Sequence, residues 1–356
     1  MKLLILQQRP SRAGAQTSLA RLLESLRPLA VESLVLCSES GWLSDWCAGQ
    51  KLACEILPAP KARSLRGRLF ANDRYVKHVV NILRHLDFSP DLLVANDTEE
   101  STHTAALAQR LKKNWVAILR NSGLSRDEFF KYRADGANLV FAVGAELEHS
   151  AQSWGGAAKV RSYGESLLAS EFFAPKPKPT AFPSRILVAG SEQPSKGWAD
   201  FFVALTQVEQ AHTSFPVLQL ALTGTESEGL LKNYRGRAQF RFLGRVNHFA
   251  ACAREYDLAI HPSRNESFGL APFEILAAGV PVLCSSTGEM SARILPPELL
   301  FPPNDVEALA QRLQNLYRNW SQLDFHLPDI QQRLRERYSA RIFAQQFLAT
   351  LRSVVS

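Results

Sequence analysis

Apolar residues along this chain fall into two rhythms that alternate. Short, nearly continuous apolar runs read as buried strands: Lys2 to Gln7, Ser33 to Leu36, Cys54 to Leu57, Asp91 to Ala95, Trp115 to Leu119 and Leu139 to Val143. Between them the spacing changes to that of an amphipathic helix. Ala15 to Leu29 carries apolar residues at 19, 22, 23, 26 and 29, and Asp73 to Leu86 carries them at 76, 79, 80, 83 and 86. Further helices are expected over Trp42 to Gly49, Thr102 to Lys112 and Ala145 to Trp154, with residues 58–72 as a basic loop. Strands that alternate with helices need crossover connections, so the sheet is expected to be mainly parallel. Ligands of such sheets bind beyond the carboxyl ends of the strands, where Gly14, Asn96, Asp97 and Arg120 fall.

The rhythm stops at residues 171–184, EFFAPKPKPTAFPS, which hold four prolines and neither period. This stretch reads as a linker. A second series follows, with strands at Arg185 to Ala189, Val217 to Leu222, Phe240 to Leu243, Tyr256 to Ile260 and Val280 to Cys284. Its helices are Trp198 to Gln210, Ala271 to Ala278 and Asp305 to Trp320, the last capped by Asn304 or Asp305. A final helix, Ala340 to Val355, is apolar at 343, 344, 347, 348, 351 and 354. The expected organisation is an α/β domain over 1–170, a linker over 171–184, a second α/β domain over 185–335, and a closing segment over 336–356. No sequence repeat accompanies the repeated scheme.

Composition changes this picture little. A chain of 356 residues exceeds one ordinary core, and 46% apolar with 21% charged residues is usual for a globular protein. No apolar run reaches the length of a membrane span. The opening MKLLILQQRP is too short in apolar residues for a signal peptide and reads as the first strand. Five cysteines without metal-type spacing suit reduced thiols in a cytoplasmic protein.

The net charge of +7 is unevenly placed. Within 61–85, Lys61, Arg63, Arg66, Arg68, Arg74, Lys77 and Arg84 face Asp73 alone. With only Phe70 and Tyr75 as aromatic partners there, nucleic acid is not the expected ligand. A basic loop and amphipathic helix fit an anionic membrane face, an anionic acceptor, or simply a solvated surface.

The candidate chemistry gathers at His261-Pro262-Ser263-Arg264-Asn265-Glu266-Ser267-Phe268-Gly269-Leu270-Ala271-Pro272-Phe273-Glu274. A helix start leaves its first N–H groups unpaired, and Ser267 to Leu270 lie at such a start. That favours phosphate, while the flanking carboxylates Glu266 and Glu274 suit sugar hydroxyls. Glu274 is enclosed by apolar neighbours, where an unpartnered carboxylate is costly. Lys196, before Gly197 and a second helix start, would neutralise a departing diphosphate.

These residues resemble a known group, the retaining glycosyltransferase family 4 of GT-B fold. The stretch from His261-Pro262-Ser263 to Gly279-Val280-Pro281-Val282 is similar to that family's hallmark: proline-serine, Glu, seven residues, Glu, then a glycine-x-proline-valine strand. Gly190 with Lys196-Gly197 resembles its strand–loop element, and Leu222-Thr223-Gly224 and Phe242-Leu243-Gly244-Arg245-Val246 resemble two further strand ends. Gly164 with Phe172-Phe173-Ala174-Pro175, and Arg337-Tyr338-Ser339, resemble the passages between domains.

The resemblance implies two Rossmann-like domains with parallel sheets facing a cleft, and transfer of a sugar from a nucleotide-sugar donor to an acceptor hydroxyl. Glu266 and Lys196 would be catalytic. Gly14, Gly190, Ser191, Lys196, Gly224, Arg245, Val246, Ser267, Phe268, Gly269, Leu270 and Glu274 would bind the donor, with Glu274 on the ribose and Arg245-Val246 by the base. Asn96, Asp97 and Arg120 would lie on the side of a glycan, lipid-linked or small-molecule acceptor. No metal or cofactor is expected beyond the nucleotide sugar. A place in cell-surface polysaccharide or lipopolysaccharide synthesis, cytoplasmic and peripheral at the inner membrane face, follows from the family and the basic segment. The sequence departs from the family at Ser191, which stands where an arginine is usual, and at Arg120 and Asn121, where a histidine is usual. A GT-B sugar-nucleotide epimerase and a non-catalytic nucleotide-sugar-binding protein are the alternatives.

Overall fold

The computed structural model describes residues 1–11, 14–58, 65–156, 158–227, 229–232, 234–290 and 294–355, with side chains of 65–71 outside the description. It divides into two compact units, one of residues 1–166 with 340–356 and one of 167–339.

The first unit is built on seven strands, β1 (Lys2–Leu6), β2 (Glu32–Cys37), β3 (Ala53–Ile56), β4 (Leu92–Ala95), β5 (Trp115–Leu119), β6 (Leu139–Val143) and β7 (Lys159–Tyr163). Their order is β3-β2-β1-β4-β5-β6-β7, and every pairing among them is parallel. Strands β4, β5 and β6 are buried along their whole length, which is why they read as unbroken apolar runs. The edge strand β7 (KVRSY) escaped the sequence reading because it is mostly exposed and carries no such run.

Helices of this unit are α1 (Gly14–Leu26), α2 (Trp42–Gly49), α3 (Leu65–His85), α4 (Ser101–Leu111), α5 (Arg126–Lys131) and α6 (Ala145–Trp154). Helix α3 is longer than its apolar spacing indicated. It starts at Leu65 inside the expected loop, despite Gly67, and buries Tyr75, Val76, Val79 and Leu83 against the sheet.

The second unit repeats the plan with β8 (Arg185–Val188), β9 (Gln219–Leu222), β10 (Gln239–Phe242), β11 (Leu258–His261), β12 (Val282–Ser285) and β13 (Leu300–Phe301). The order β10-β9-β8-β11-β12-β13 is again all parallel. Helices α7 (Trp198–Ala211), α8 (Phe249–Ala253), α9 (Leu270–Ala277), α10 (Val306–Asn319) and α11 (Leu327–Tyr338) complete it. Asp305 caps α10 by accepting from the Ala308 amide (2.8 Å), whereas Asn304 takes a left-handed conformation.

The proline-rich stretch 171–184 packs onto this second unit. Phe173 donates its amide to Ala277 O (2.9 Å), Lys176 pairs with Asp257 (3.0 Å), and Lys178 caps carbonyls of Trp320 and Leu323. The last helix, α12 (Ala340–Val355), belongs to the first unit, where Phe343 and Phe347 pack on Tyr163 and Phe141.

Both sheets are doubly wound, and each has one place where the strand order reverses. It lies between β1 and β4 in the first unit and between β8 and β11 in the second. The crevice beyond the carboxyl ends of such a pair is where doubly wound sheets hold ligands.

Candidate functional site

In the second unit the reversal point brings together loops 70 residues apart. After β8 the chain passes Gly190-Ser191, makes a short 3-10 turn over Pro194–Lys196, and enters α7. After β11 it passes Pro262 and Ser263 and enters α9. Backbone and side-chain bonds tie the two loops: Arg264 N donates to Ser195 O (2.8 Å) and Ser263 Oγ to Ser195 O (3.3 Å). Gly197 makes this approach feasible. It has φ +69°, and a Cβ there would stand 1.8 Å from the Pro262 carbonyl oxygen. A bidentate Arg264–Asp200 pair (2.6 and 2.7 Å) fastens the outer side.

This docking places Lys196 Nζ 2.7 Å from Glu266 Oε1. The same oxygen lies 3.1 Å from His261 Nε2, and His261 Nδ1 lies 3.2 Å from Ala189 O. Burial alone would raise the Glu266 pKa, but the His261 hydrogen bond and charge, with those of Lys196, outweigh it and bring it down to about 2. Glu266 is therefore a carboxylate at every physiological pH.

Helix α9 begins at Leu270, one residue before the expected start, with Gly269 at φ +83° before it and no side-chain cap. Pro272 within the first turn has no N–H, so the amides left over at this start are those of Gly269, Leu270 and Ala271. Phe268 itself points into the core against Phe273 and Tyr338, at ring distances of 4.7 and 5.7 Å. Its backbone is clamped by the Glu289 amide, which donates to Phe268 O (2.9 Å). Ser267 and Glu274 are both half-buried, Glu274 on α9.

The remaining donor-side candidates line adjacent strand ends. Thr223 Oγ1 accepts from Gly190 N (2.9 Å) and donates to Gly190 O (3.1 Å), joining the ends of β8 and β9. Ser191 Oγ accepts from Gln193 N at 3.5 Å, a local turn contact rather than a cationic clamp. Gly224 lies under Glu192 and Trp198, while Arg245 is exposed and Val246 half-buried after β10.

In the first unit the reversal point is built differently. Arg120, beyond β5, uses all five donors: Nε to Asn96 O and Nη2 to Asn96 Oδ1 (both 2.9 Å), Nη1 to Ser18 Oγ (2.7 Å) and Glu165 Oε1 (3.0 Å), and Nη2 to Tyr163 OH (3.4 Å). Asn96 is fully buried and also bonds Gln7 Oε1. Asp97 accepts from the Thr98 amide (2.7 Å), and burial raises its pKa. Beside it, Glu100 is buried, accepts from Gln8 N (2.7 Å) through Oε1, and has no partner for Oε2. Burial pushes its pKa up to about 8. Gly14 opens α1 with no atom within 4 Å of a Cβ placed on it.

Of the basic segment, Lys61 and Arg63 lie outside the described residues, as do the side chains of Arg66 and Arg68. Arg74, Lys77 and Arg84 are exposed on α3, with Lys77 paired to Asp73 (2.7 Å). Among the described residues no group of three or more His, Cys, Asp or Glu could hold a metal, and no helix is long and apolar enough to cross a membrane. The contact in this candidate site that sequence reading missed is that of His261 with Glu266. His261 was visible next to Pro262, but its bond to Glu266 depends on a turn only the fold defines.

Residues 183–319, within the second unit, match the family model described as glycosyl transferases group 1. The two α/β units together have the GT-B fold. A glycogen synthase of Mycobacterium tuberculosis is 28% identical over 146 residues, covering 39% of this chain and 35% of that protein. A phosphatidyl-myo-inositol mannosyltransferase of Mycobacterium leprae is 33% identical over 156 residues, 42% of this chain and 38% of that protein. The chain thus matches little more than a third of the length of these curated relatives. Anabaena HepE, solved in complex with UDP-glucose, matches in structure over 99% of this chain and 100% of that one, with a TM-score of 0.80 and 19% identity. At that identity the likeness speaks for the fold alone.

Proposed function

We propose that this chain is a retaining glycosyltransferase that moves a sugar from a nucleotide-sugar donor to an acceptor hydroxyl, without a metal ion. One observation carries the reading: Lys196 and Glu266 meet at 2.7 Å at the reversal point of the second unit, beside the uncapped start of α9. A lysine and free amides on one side of a site stabilise a leaving diphosphate. A carboxylate held ionised beside them orients the hydroxyls of the sugar as its anomeric carbon becomes oxocarbenium-like. Glu274 holds the ribose hydroxyls from the helix, and Arg245-Val246 lie by the base. HepE binding UDP-glucose and the mycobacterial relatives being a synthase and a mannosyltransferase support this donor class.

The acceptor belongs to the first unit, at Asn96, Asp97 and Arg120 near the β1–β4 reversal. A cell-surface polysaccharide or lipopolysaccharide intermediate suits the exposed cations of α3, which would rest on an anionic membrane face. The deciding test is incubation of the chain with UDP-glucose and other nucleotide sugars, with and without a chelator. Release of nucleoside diphosphate with product of unchanged anomeric configuration supports the reading. Epimerisation of the donor without acceptor, or binding without turnover, would replace it. Co-sedimentation with phosphatidylserine vesicles that is indifferent to lipid charge and salt would remove the membrane part.

A further inference from the structure

His261 stands at the end of β11, 3% exposed, with an acceptor on each side of its ring. Nδ1 lies 3.2 Å from Ala189 O, and a backbone carbonyl only accepts. Nε2 lies 3.1 Å from Glu266 Oε1, which already accepts from Lys196 at 2.7 Å and is ionised. A neutral imidazole has one N–H, so it would leave one of these contacts as two lone pairs facing each other. A ring that donates at both nitrogens fits both neighbours.

We propose that His261 is a doubly protonated imidazolium and the resident counter-ion of Glu266, which frees Lys196 to leave that carboxylate for the diphosphate of an incoming donor. The assignment rests on the donor-site reading above. The two cations differ in the ways this exchange requires. Lys196 has a side chain 26% exposed and a flexible four-carbon stem, while the His261 side chain is 4% exposed and pinned at both nitrogens. Glu266, 15% exposed, would be left as a buried unpaired charge if its only partner were the lysine that moves. With His261 in place, Lys196 can shift without stranding it.

Among the described residues, the strand positions paired with β11 supply no other charge for this duty. Beside β11, strand β8 presents only Ile186, Leu187 and Val188, and β12 places Cys284 opposite His261, where burial pushes the thiol up and keeps it neutral. His261 is a positioning residue: it acts through Glu266 and Lys196, not on the substrate.

The test is a long-range proton–nitrogen spectrum of the full chain labelled at histidine, with the His261 signals assigned by their loss in His261→Gln. Protons on both ring nitrogens, in the wild type and in Lys196→Met, are expected. A single proton on the ring, or loss of the second one in Lys196→Met, overturns the assignment. Calorimetry with inorganic pyrophosphate and with UDP gives the second readout. His261→Gln should weaken both by roughly ten- to a hundredfold at unchanged melting temperature, the scale of losing one charge-assisted contact. Equal affinity in the two proteins also overturns it. If the wild type binds neither ligand, the donor reading fails, and the ring protons still decide whether His261 is the counter-ion.

Discussion

The two reversal points share a topology and differ in how they use charge. In the first unit, Arg120 and Glu165 are both 7% exposed, and every donor of the arginine is committed to Asn96 after β4, Tyr163 of β7, Glu165 beyond it, or Ser18 of α1. Glu100, next to Asp97 in the same unit, is buried as an acid with one oxygen unmatched. In the second unit, Lys196 holds Glu266 through a single contact and remains a quarter exposed. A buried pair whose hydrogen bonds are all internal fixes a strand edge, and removing one partner is costly. A partly exposed pair with a third group behind it has room to exchange partners. The same fold therefore carries a closed reversal point in one unit and an open one in the other.

The largest expected effect tests the closed one. Arg120→Leu strands Glu165 in the interior and should cost about 3–5 kcal/mol in chemical denaturation of the chain. A loss below 1 kcal/mol would mean that the arginine is not the clamp of this edge. Lys196→Ala, at the open point, should leave the denaturation midpoint nearly unchanged and lower turnover by about 10²–10³-fold, the scale of removing one donor to a developing anion. Near-normal transfer would sink its role. Gly197→Ala should disturb both, because the added methyl meets Pro262 O: a loss of about 1–3 kcal/mol and weaker nucleotide binding. Retained affinity by calorimetry would show that the loop contact does not position Lys196.

The smallest effects, read per pH unit, have opposite signs at the two points. Glu100 has its pKa raised from 4.5 to about 8 in the folded chain. The folded state then holds the extra proton between these values, so Glu100 lowers stability as pH rises from 4.5 to 8. Glu266 has its pKa lowered from 4.5 to about 2, so its contribution is present above 4.5 and lost as pH falls toward 2. Each group contributes a slope of at most about 1.4 kcal/mol per pH unit. Glu100→Gln should flatten the slope between pH 4.5 and 8 and leave the one below 4.5. An unchanged slope between pH 4.5 and 8 in that variant would argue against a buried neutral acid.

Much of the crevice between β8 and β11 was legible along the chain. Glu266, the amide turn and Glu274 lie within nine residues on consecutive elements, so local rules of strand, turn and helix start suffice to place them. Lys196 was legible as a candidate because Gly197 follows it at a strand–helix junction. Its pairing with Glu266 was not, since that depends on how β8 and β11 neighbour each other. The crevice between β1 and β4 was less legible. Arg120 looks from the sequence like a cation at a strand end, and nothing near it announces Glu165, which lies 45 residues on beyond β7, the strand without a full apolar run.

What the sequence determined by itself was everything that follows from period and spacing. That covers the alternating strands and helices, the buried apolar runs of both sheets, and the order of groups around the α9 start. These are local preferences, set by which residues lie on which face of an element. Only the tertiary structure decided which charges meet. An Arg120 bound to Glu165 and a Lys196 bound to Glu266 are indistinguishable as isolated letters. Their roles come from burial and from the partner that the sheet order brings within about 3 Å, because an ionic contact gains its strength from distance and from exclusion of water.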